Sequence, residues 1–239
     1  MWPPMPYKRH GRRCMERERQ RRTGGRTSLR FYYLKPVFVH HRLLTWVMPK
    51  HRHTLAKEAH NVTKGKSKNL DLDLLSRGMP GLTQAAGTFM AECASVCLED
   101  RGHQPHVLLG VSGDFDISCP LLWSPTTKQM RSCHNDKEVA TEYGAYGIAI
   151  LLLLKQAGVE VLEKSVKGGG FDYWLGRSSP FPFQKKARLE VSGIREGDST
   201  DLERRVKIKI EQTKKSDGKF PAYVVVVEFG SPRARVVKR

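Results

Sequence analysis

The sequence predicts an α/β fold in which a mixed central sheet is flanked by helices. Three observations lead to this prediction. From Asp136 onward, the apolar patterns follow the order helix, strand, strand, strand, helix, strand. Residues 222–229 include four consecutive valines flanked by further apolar side chains, which is typical of a strand that is covered on both faces. Further upstream, residues 81–100 carry apolar side chains at helical spacing.

The region before Asp136 predicts a helix, a two-stranded hairpin and a second, shorter helix. The first helix covers residues 81–100 and ends at Arg101-Gly102. Strands at 106–112 and 115–123 follow, joined by a turn at Gly113-Asp114. The second helix begins near Ser124 and extends to about residue 133. We expect this helix–hairpin–helix segment to be an N-terminal addition to the core of the fold.

The predicted core begins with a helix that Asp136 caps, with Asn135 as a rival for that role. This helix extends to about residue 157, where Gly158 ends it. The elements that follow are a strand at 160–166, two short strands around Asp172 and Glu190, a basic helix at 201–216, a strand at 222–229 and a short strand at 235–238. Val206, Ile208 and Ile210 are the predicted apolar positions of the basic helix.

The first 47 residues differ from the rest of the chain in charge. They hold 12 Lys and Arg against 2 Glu, a net charge of +10, whereas the rest of the chain carries +8. We predict a disordered basic extension and tether over residues 1–80, and an α/β domain over residues 81–239. Two interpretations of residues 1–47 stay open: an unstructured or spuriously translated upstream segment, with Met48 as the start, or a basic arm that contacts nucleic-acid phosphates.

Composition narrows the range of partners and compartments. The net charge of +18 suits a polyanionic partner. The longest apolar run, residues 148–154, is far shorter than the roughly 18–20 residues that a membrane helix needs. Five cysteines at irregular spacing do not form a disulfide framework, which favours a reducing compartment. We expect a cytoplasmic protein with a nucleic-acid partner and no membrane association, and we allow for a homodimer.

Two carboxylates stand inside short apolar strands. Asp172 lies among Phe171, Tyr173 and Trp174, and Glu190 lies between Leu189 and Val191. Burying a carboxylate without a partner costs more than a hydrogen bond returns. Two such acids on consecutive strands therefore suggest a shared cation. All-oxygen ligands suit Mg²⁺ or Mn²⁺, which can polarise a phosphodiester and lower the pKa of a bound water.

The order of elements, with an acid on the second strand and a Glu on the third, resembles the PD-(D/E)XK nuclease superfamily over residues 136–229. The resemblance implies a restriction-endonuclease-like core and a metal-dependent nuclease that hydrolyses nucleic-acid phosphodiesters. It implies Asp172, Glu190 and the helix residue Glu142 as ligands of Mg²⁺ or Mn²⁺. Ser192 stands at the position of the usual Lys, and Phe171 stands where the family name has proline.

Because Ser192 replaces the usual Lys, we assign the catalytic role of that Lys to Lys186 or Arg188. Both share a strand face with Glu190, since strand side chains alternate. We therefore take Asp172, Glu190, Lys186 and Arg188 as catalytic candidates. The basic helix supplies the candidate nucleic-acid contacts, namely Arg204, Arg205, Lys207 and Lys209.

Other interpretations remain open for the same residues. Asp172 and Glu190 could pair with Lys or Arg across an exposed sheet face. The Lys- and Arg-rich helix could be a solvated face. The fold could also be a catalytically inactive module that binds nucleic acid or protein. A zinc site at Cys93, Cys97, His103 and His106 fits no usual ligand spacing, so we do not predict one.

Overall fold

The computed structural model describes residues 68–177, 184–218 and 220–239. Most of the predicted basic extension, residues 1–67, lies outside this description. The described elements are, in chain order, β1 (Leu70–Asp71), a first 3₁₀ helix (Leu72–Arg77), α1 (Gln84–Asp100), β2 (His106–Gly113), β3 (Ile117–Leu122), α2 (Lys128–Cys133), α3 (Lys137–Ala157), β4 (Glu160–Lys164), β5 (Tyr173–Arg177), β6 (Gln184–Ile194), α4 (Ser199–Thr213), a second 3₁₀ helix (Lys214–Ser216), β7 (Ala222–Glu228) and β8 (Arg233–Lys238).

The eight strands of the described residues form one mixed sheet in the order β1-β3-β2-β8-β7-β6-β5-β4. The pairs β6–β7 and β2–β8 are parallel, while β7–β8, β5–β6 and β4–β5 are antiparallel. The α/β class with a mixed sheet is thus confirmed. The hairpin β2–β3 joins this same sheet through β8, with Gly110 opposite Arg233. It therefore extends the sheet at the β8 side.

Helices cover the two faces of the sheet around β6 and β7. On one face α3 packs against β6 and β7, and α1 packs against α3; the alternate β7 residues Tyr223, Val225 and Val227 belong to this large core. On the other face Leu202 and Val206 of α4 pack against Val226. Every residue of β7 is buried, as its continuous apolar run predicts.

The long helix α3 forms where the sequence predicts it. Asp136 is its N-cap and accepts hydrogen bonds from the backbone N–H groups of Glu138 and Val139. Gly158 ends it in a left-handed conformation, with φ of 63°. A Cβ at Gly144 would lie 2.9 Å from backbone atoms of Ala94, so glycine allows α3 to cross close to α1. In the described part of the chain, no helix is long and apolar enough to cross a membrane.

The packed part of the chain begins before the domain boundary that we placed at Gly81. Leu70, Leu72 and Leu75 are fully buried in the large core. β1 pairs in parallel with β3, through Leu70 opposite Leu121. These leucines recur at neither helical nor strand period over a useful length, because the segment changes from strand to 3₁₀ helix at Leu72. Periodicity alone therefore misses them.

The apolar face of α4 also differs from the prediction. Leu202, Val206 and Thr213 are buried, whereas Ile208 is 56% exposed. Positions 206, 208 and 210 follow the two-residue period of a strand. Positions 202, 206, 209 and 213 follow the helical period, so they share the inward face. This face includes Lys209.

Candidate functional site

Asp172 lies one residue before β5, at the point where the chain enters the sheet. We expected it within the strand, but β5 begins at Tyr173. Its backbone N–H nevertheless donates to the carbonyl oxygen of Leu189, at 2.7 Å, and so continues the pairing with β6. The backbone N–H of Val191 donates to Asp172 Oδ2 at 2.8 Å. These two bonds fix the carboxylate beside β6 at the level of Glu190.

Glu190 is fully buried on the face of β6 that carries α4. Lys209 of α4 reaches it, with Nζ 2.6 Å from Oε1. The Lys209 ammonium also donates to Gln212 Oε1 at 3.2 Å, and its side chain is 19% exposed. The second oxygen, Glu190 Oε2, is buried and has no hydrogen-bond partner among the described residues. Asp172 lies within hydrogen-bonding reach of Glu190, so a proton shared between the two carboxyl groups satisfies an oxygen that would otherwise need a donor or a cation.

Glu142 joins the other two acids through a tyrosine hydroxyl. The Tyr146 hydroxyl lies 3.0 Å from Glu142 Oε1 and 3.0 Å from Asp172 Oδ1. A phenol has one hydrogen, so it can donate to one of these carboxylates at a time. Burial, together with the charges of Asp172 and Glu142, raises the pKa of Tyr146 far above its usual range. The hydroxyl therefore stays protonated while two carboxylates compete for its hydrogen.

Gly193 brings β6 close to the first turns of α3. A Cβ at this position would overlap the carbonyl oxygen of Thr141, the residue before Glu142. Contacts thus run from Glu142 on α3 to Tyr146, then to Asp172, then to Glu190 on β6, and finally to Lys209 on α4. We call Glu142, Asp172 and Glu190 the acid cluster.

The acid cluster carries more negative charge than its surroundings neutralise. Burial and the neighbouring Asp172 charge raise the pKa of Glu190 to about 7, against an ordinary value of 4.5. Burial likewise raises the pKa of Asp172, against the lowering effect of the Val191 and Tyr146 hydrogen bonds. At pH 7 the folded protein therefore still holds the Glu190 proton in part. Only at higher pH, with all three acids ionised beside the Lys209 ammonium, does the net charge of the cluster reach −2, which one divalent cation would neutralise.

The raised pKa of Glu190 predicts a pH-dependent stability in the absence of metal. The folded state holds the Glu190 proton up to about pH 7, whereas the unfolded state releases it near 4.5. The stabilisation is therefore full below about pH 4.5 and is lost as the pH rises through 7, by up to about 3 kcal/mol. Urea unfolding between pH 4.5 and 8 with a chelator should show this loss relative to Glu190→Gln, which has no carboxylate to titrate. An unchanged difference between the two proteins across that range would contradict the assignment.

The donors of the cluster fit a hard cation. Carboxylate oxygens are the ligands that Mg²⁺ and Mn²⁺ prefer, and Glu190 Oε2 is a buried oxygen without a partner. Asp172 and Glu190 adjoin each other, while Glu142 is separated from Asp172 by the Tyr146 hydroxyl. Among residues 68–177, 184–218 and 220–239, no three His, Cys, Asp or Glu side chains form a preassembled metal group.

The structure places the predicted cationic catalytic residues away from the acids. Arg188 is 3% exposed, and its guanidinium donates to the carbonyl oxygens of Phe220 and Thr213 and to the Ser216 hydroxyl. Lys186 Nζ donates to Gln184 Oε1 at 3.1 Å. The ammonium that contacts the acid cluster is that of Lys209, for which the sequence predicted a nucleic-acid contact.

The other predicted nucleic-acid contacts lie along the exposed part of α4. Arg204 pairs with Asp201 at 2.6 Å, and Lys207 is exposed. Arg205 Nη1 lies 3.3 Å from the hydroxyl of Ser192. Ser192 stands at the position of the expected Lys, and its hydroxyl accepts a hydrogen bond from Arg205 of α4.

A second polar chain, Cys93–His134–Glu92, is structural. Cys93 Sγ lies 3.4 Å from His134 Nδ1, and His134 Nε2 lies 2.8 Å from Glu92 Oε2. The order resembles nucleophile, base and orienting acid. Cys93 is fully buried, however, and burial raises the pKa of its thiol to about 12. A buried thiol that stays protonated is a poor nucleophile, so we assign this chain to the packing of α1 against the residue that ends α2.

Comparison with protein-family models, with curated proteins and with solved structures gives no match for this chain.

Proposed function

We propose that this protein is a metal-dependent nuclease-like hydrolase that acts on the phosphodiesters of nucleic acid. The observation that supports the proposal most is the chain of contacts in which Tyr146 links Glu142 to Asp172, and Asp172 adjoins the buried Glu190 that Lys209 holds. The observed element order from α3 to β7 is helix, strand, strand, strand, helix, strand, which is the order on which the resemblance rests.

Asp172 and Glu190 would hold Mg²⁺ or Mn²⁺, with Glu142 as the third carboxylate. When bound, such an ion supplies Lewis-acid polarisation of the phosphodiester and a bound water of lowered pKa. The backbone N–H of Val191 and the Tyr146 hydroxyl orient Asp172 for this role. Tyr146 lies equally close to Glu142, so its single hydroxyl hydrogen serves one of these two acids at a time.

We assign the usual Lys role to Lys209. Its Nζ lies 2.6 Å from Glu190 Oε1. The ammonium therefore offsets one buried negative charge and places its N–H donors beside the acids. A positioned ammonium can orient a nucleophilic water or stabilise charge that develops on a phosphoryl oxygen. Because Lys209 is 19% exposed, it reaches solvent as well as Glu190.

The proposal is tested by incubating the full chain with plasmid and with single-stranded DNA and RNA, in Mg²⁺, in Mn²⁺ and in chelator. We expect metal-dependent cleavage by the wild type and none by Asp172→Asn. Asparagine keeps the side-chain volume and can still accept from Val191 N–H, so the variant removes charge with little change in shape. Binding without cleavage in both proteins would instead support an inactive binding module on the same fold. Cleavage by Asp172→Asn at the wild-type rate would overturn the proposal.

A further inference from the structure

Two hollows adjoin the acid cluster, and together we call them the basic cleft. Their volumes are about 770 and 470 Å³, and both are lined by Ile194, Glu196 and Arg205. Lys209 lines the smaller hollow and bonds Glu190. Thr141 lines the larger hollow and precedes Glu142 in the chain. The basic cleft therefore begins where the acid cluster ends.

Cations outnumber acids along the lining of the basic cleft. The cations are Arg101, Lys137, Arg195, Arg204, Arg205 and Lys209, and the acids are Glu138, Glu196 and Asp201. Small-molecule pockets are mostly apolar with a few polar groups. A lining with this many charged groups, cations in excess, suits a polyanion instead.

Several of these cations already have carboxylate partners. Arg101 pairs with Glu196 at 2.5 Å and Arg204 with Asp201 at 2.6 Å. Lys137 pairs with Asp100 at 2.5 Å.

Arg195 and Arg205 are the least neutralised cations. Arg195 lies 3.9 Å from Asp100, whose charge Lys137 and Arg131 also share. Within the described residues, Arg205 has no carboxylate partner and bonds the Ser192 hydroxyl at 3.3 Å. Ser192 lies two residues from Glu190 on the same face of β6. Arg205 therefore stands at the junction of the acid cluster and the basic cleft.

We propose that the basic cleft binds the phosphates of a nucleic-acid strand that flank the phosphate at the acid cluster, with Arg195 and Arg205 as the main contacts. This inference rests on the proposed function for the phosphate at the acids. It adds the direction of the strand's path, from the acid cluster past Arg205 toward Arg195 and the first turn of α3. Guanidinium groups suit this role because they donate to phosphate oxygens in a bidentate manner.

The inference is tested by binding, in chelator, so that cleavage does not contribute. A labelled oligonucleotide of about 20 nucleotides, single-stranded or duplex, is titrated with the full chain at several salt concentrations. Each lost phosphate contact lowers the slope of log K against log salt by about 0.7–0.9. We expect Arg195→Gln/Arg205→Gln to lower the slope by about 1.5 and to weaken binding at least tenfold at low salt. Circular dichroism checks the fold, which should persist because both residues lie at exposed positions.

The matched control is Lys128→Gln/Lys167→Gln, which removes the same charge from exposed positions that line neither hollow. It should leave the slope unchanged. Equal losses in the two double variants would assign binding to overall charge and overturn the inference, as would a wild type that binds neither oligonucleotide. Competition by a mononucleotide at equal phosphate concentration would assign the cleft to a single-nucleotide ligand and also overturn it. The wild type and Asp172→Asn could bind alike, with the same dependence on Arg195 and Arg205, while neither protein cleaves. That result would refute the proposed hydrolysis but support the basic cleft as a nucleic-acid-binding site.

Discussion

Replacing Lys209 with methionine is expected to lower the rate of metal-dependent cleavage by about 10²–10³-fold, the range that one positioned donor contributes through electrostatic stabilisation. The same substitution should tighten Mn²⁺ binding. Removing the ammonium changes the net charge of the site from −2 to −3, which favours a divalent cation. We expect at least tenfold higher affinity, about 1.4 kcal/mol. If Lys209 had only a structural role, its replacement would not lower the cleavage rate while raising the Mn²⁺ affinity.

The loss of the Lys209 charge should also lower the free energy of unfolding. Lys209→Met leaves Glu190, which is fully buried, without its cation in the metal-free protein. Breaking a buried pair in this way costs about 3–5 kcal/mol. Saturating Mn²⁺ should restore most of the loss, because the ion replaces the missing charge.

The measurements for Lys209 are single-turnover cleavage at saturating metal, Mn²⁺ titration by calorimetry, and urea unfolding with and without metal. Lys128→Met is the matched control, since it removes the same group from an exposed position on α2. It should change none of the three. A Lys209→Met protein that cleaves at the wild-type rate would exclude Lys209 from catalysis and restrict it to pairing with Glu190.

The fold could be predicted where sequence signals are local. The Asp136 cap, the Gly158 end of α3 and the fully buried β7 all follow from side-chain type and spacing within one element. The joining of the hairpin β2–β3 to the sheet could not be predicted, since it depends on pairing between Gly110 and Arg233, which are far apart in the chain. Nothing near either residue indicates its partner.

The acids of the candidate site could be predicted, but the group that holds them in place could not. Asp172 and Glu190 stand out because carboxylates are rare in apolar strands. Glu142 and Tyr146 are spaced by four residues, so their contact on α3 follows from helical geometry. Lys209 was detectable too, because its helical spacing from Leu202 and Val206 places it on the inward face of α4. The excess of Lys and Arg on this helix points instead to a solvated or phosphate-binding surface, and this charge signal obscures the inward position of Lys209.

Arg188, which the sequence offered as a catalytic candidate, should instead prove essential to folding. Its Nε donates to the Phe220 carbonyl oxygen at 2.7 Å and its Nη1 to the Thr213 carbonyl oxygen at 3.1 Å. It also donates to the Ser216 hydroxyl and lies 3.6 Å from Asp217. These contacts join β6 to the end of α4 and to the segment that leads into β7.

Arg188→Met should therefore lower the free energy of unfolding by about 3–5 kcal/mol, because it leaves buried carbonyl oxygens without donors. Lys186→Met, two residues away on the same strand face, should change it by less than about 0.5 kcal/mol, since Lys186 contacts Gln184 at an exposed position. Urea unfolding measures both, and Mn²⁺ binding per folded molecule should be unchanged in both variants. Loss of cleavage by Arg188→Met with wild-type stability would reverse this assignment and return Arg188 to the catalytic role, because a residue whose contacts only support the fold cannot remove activity without weakening the fold.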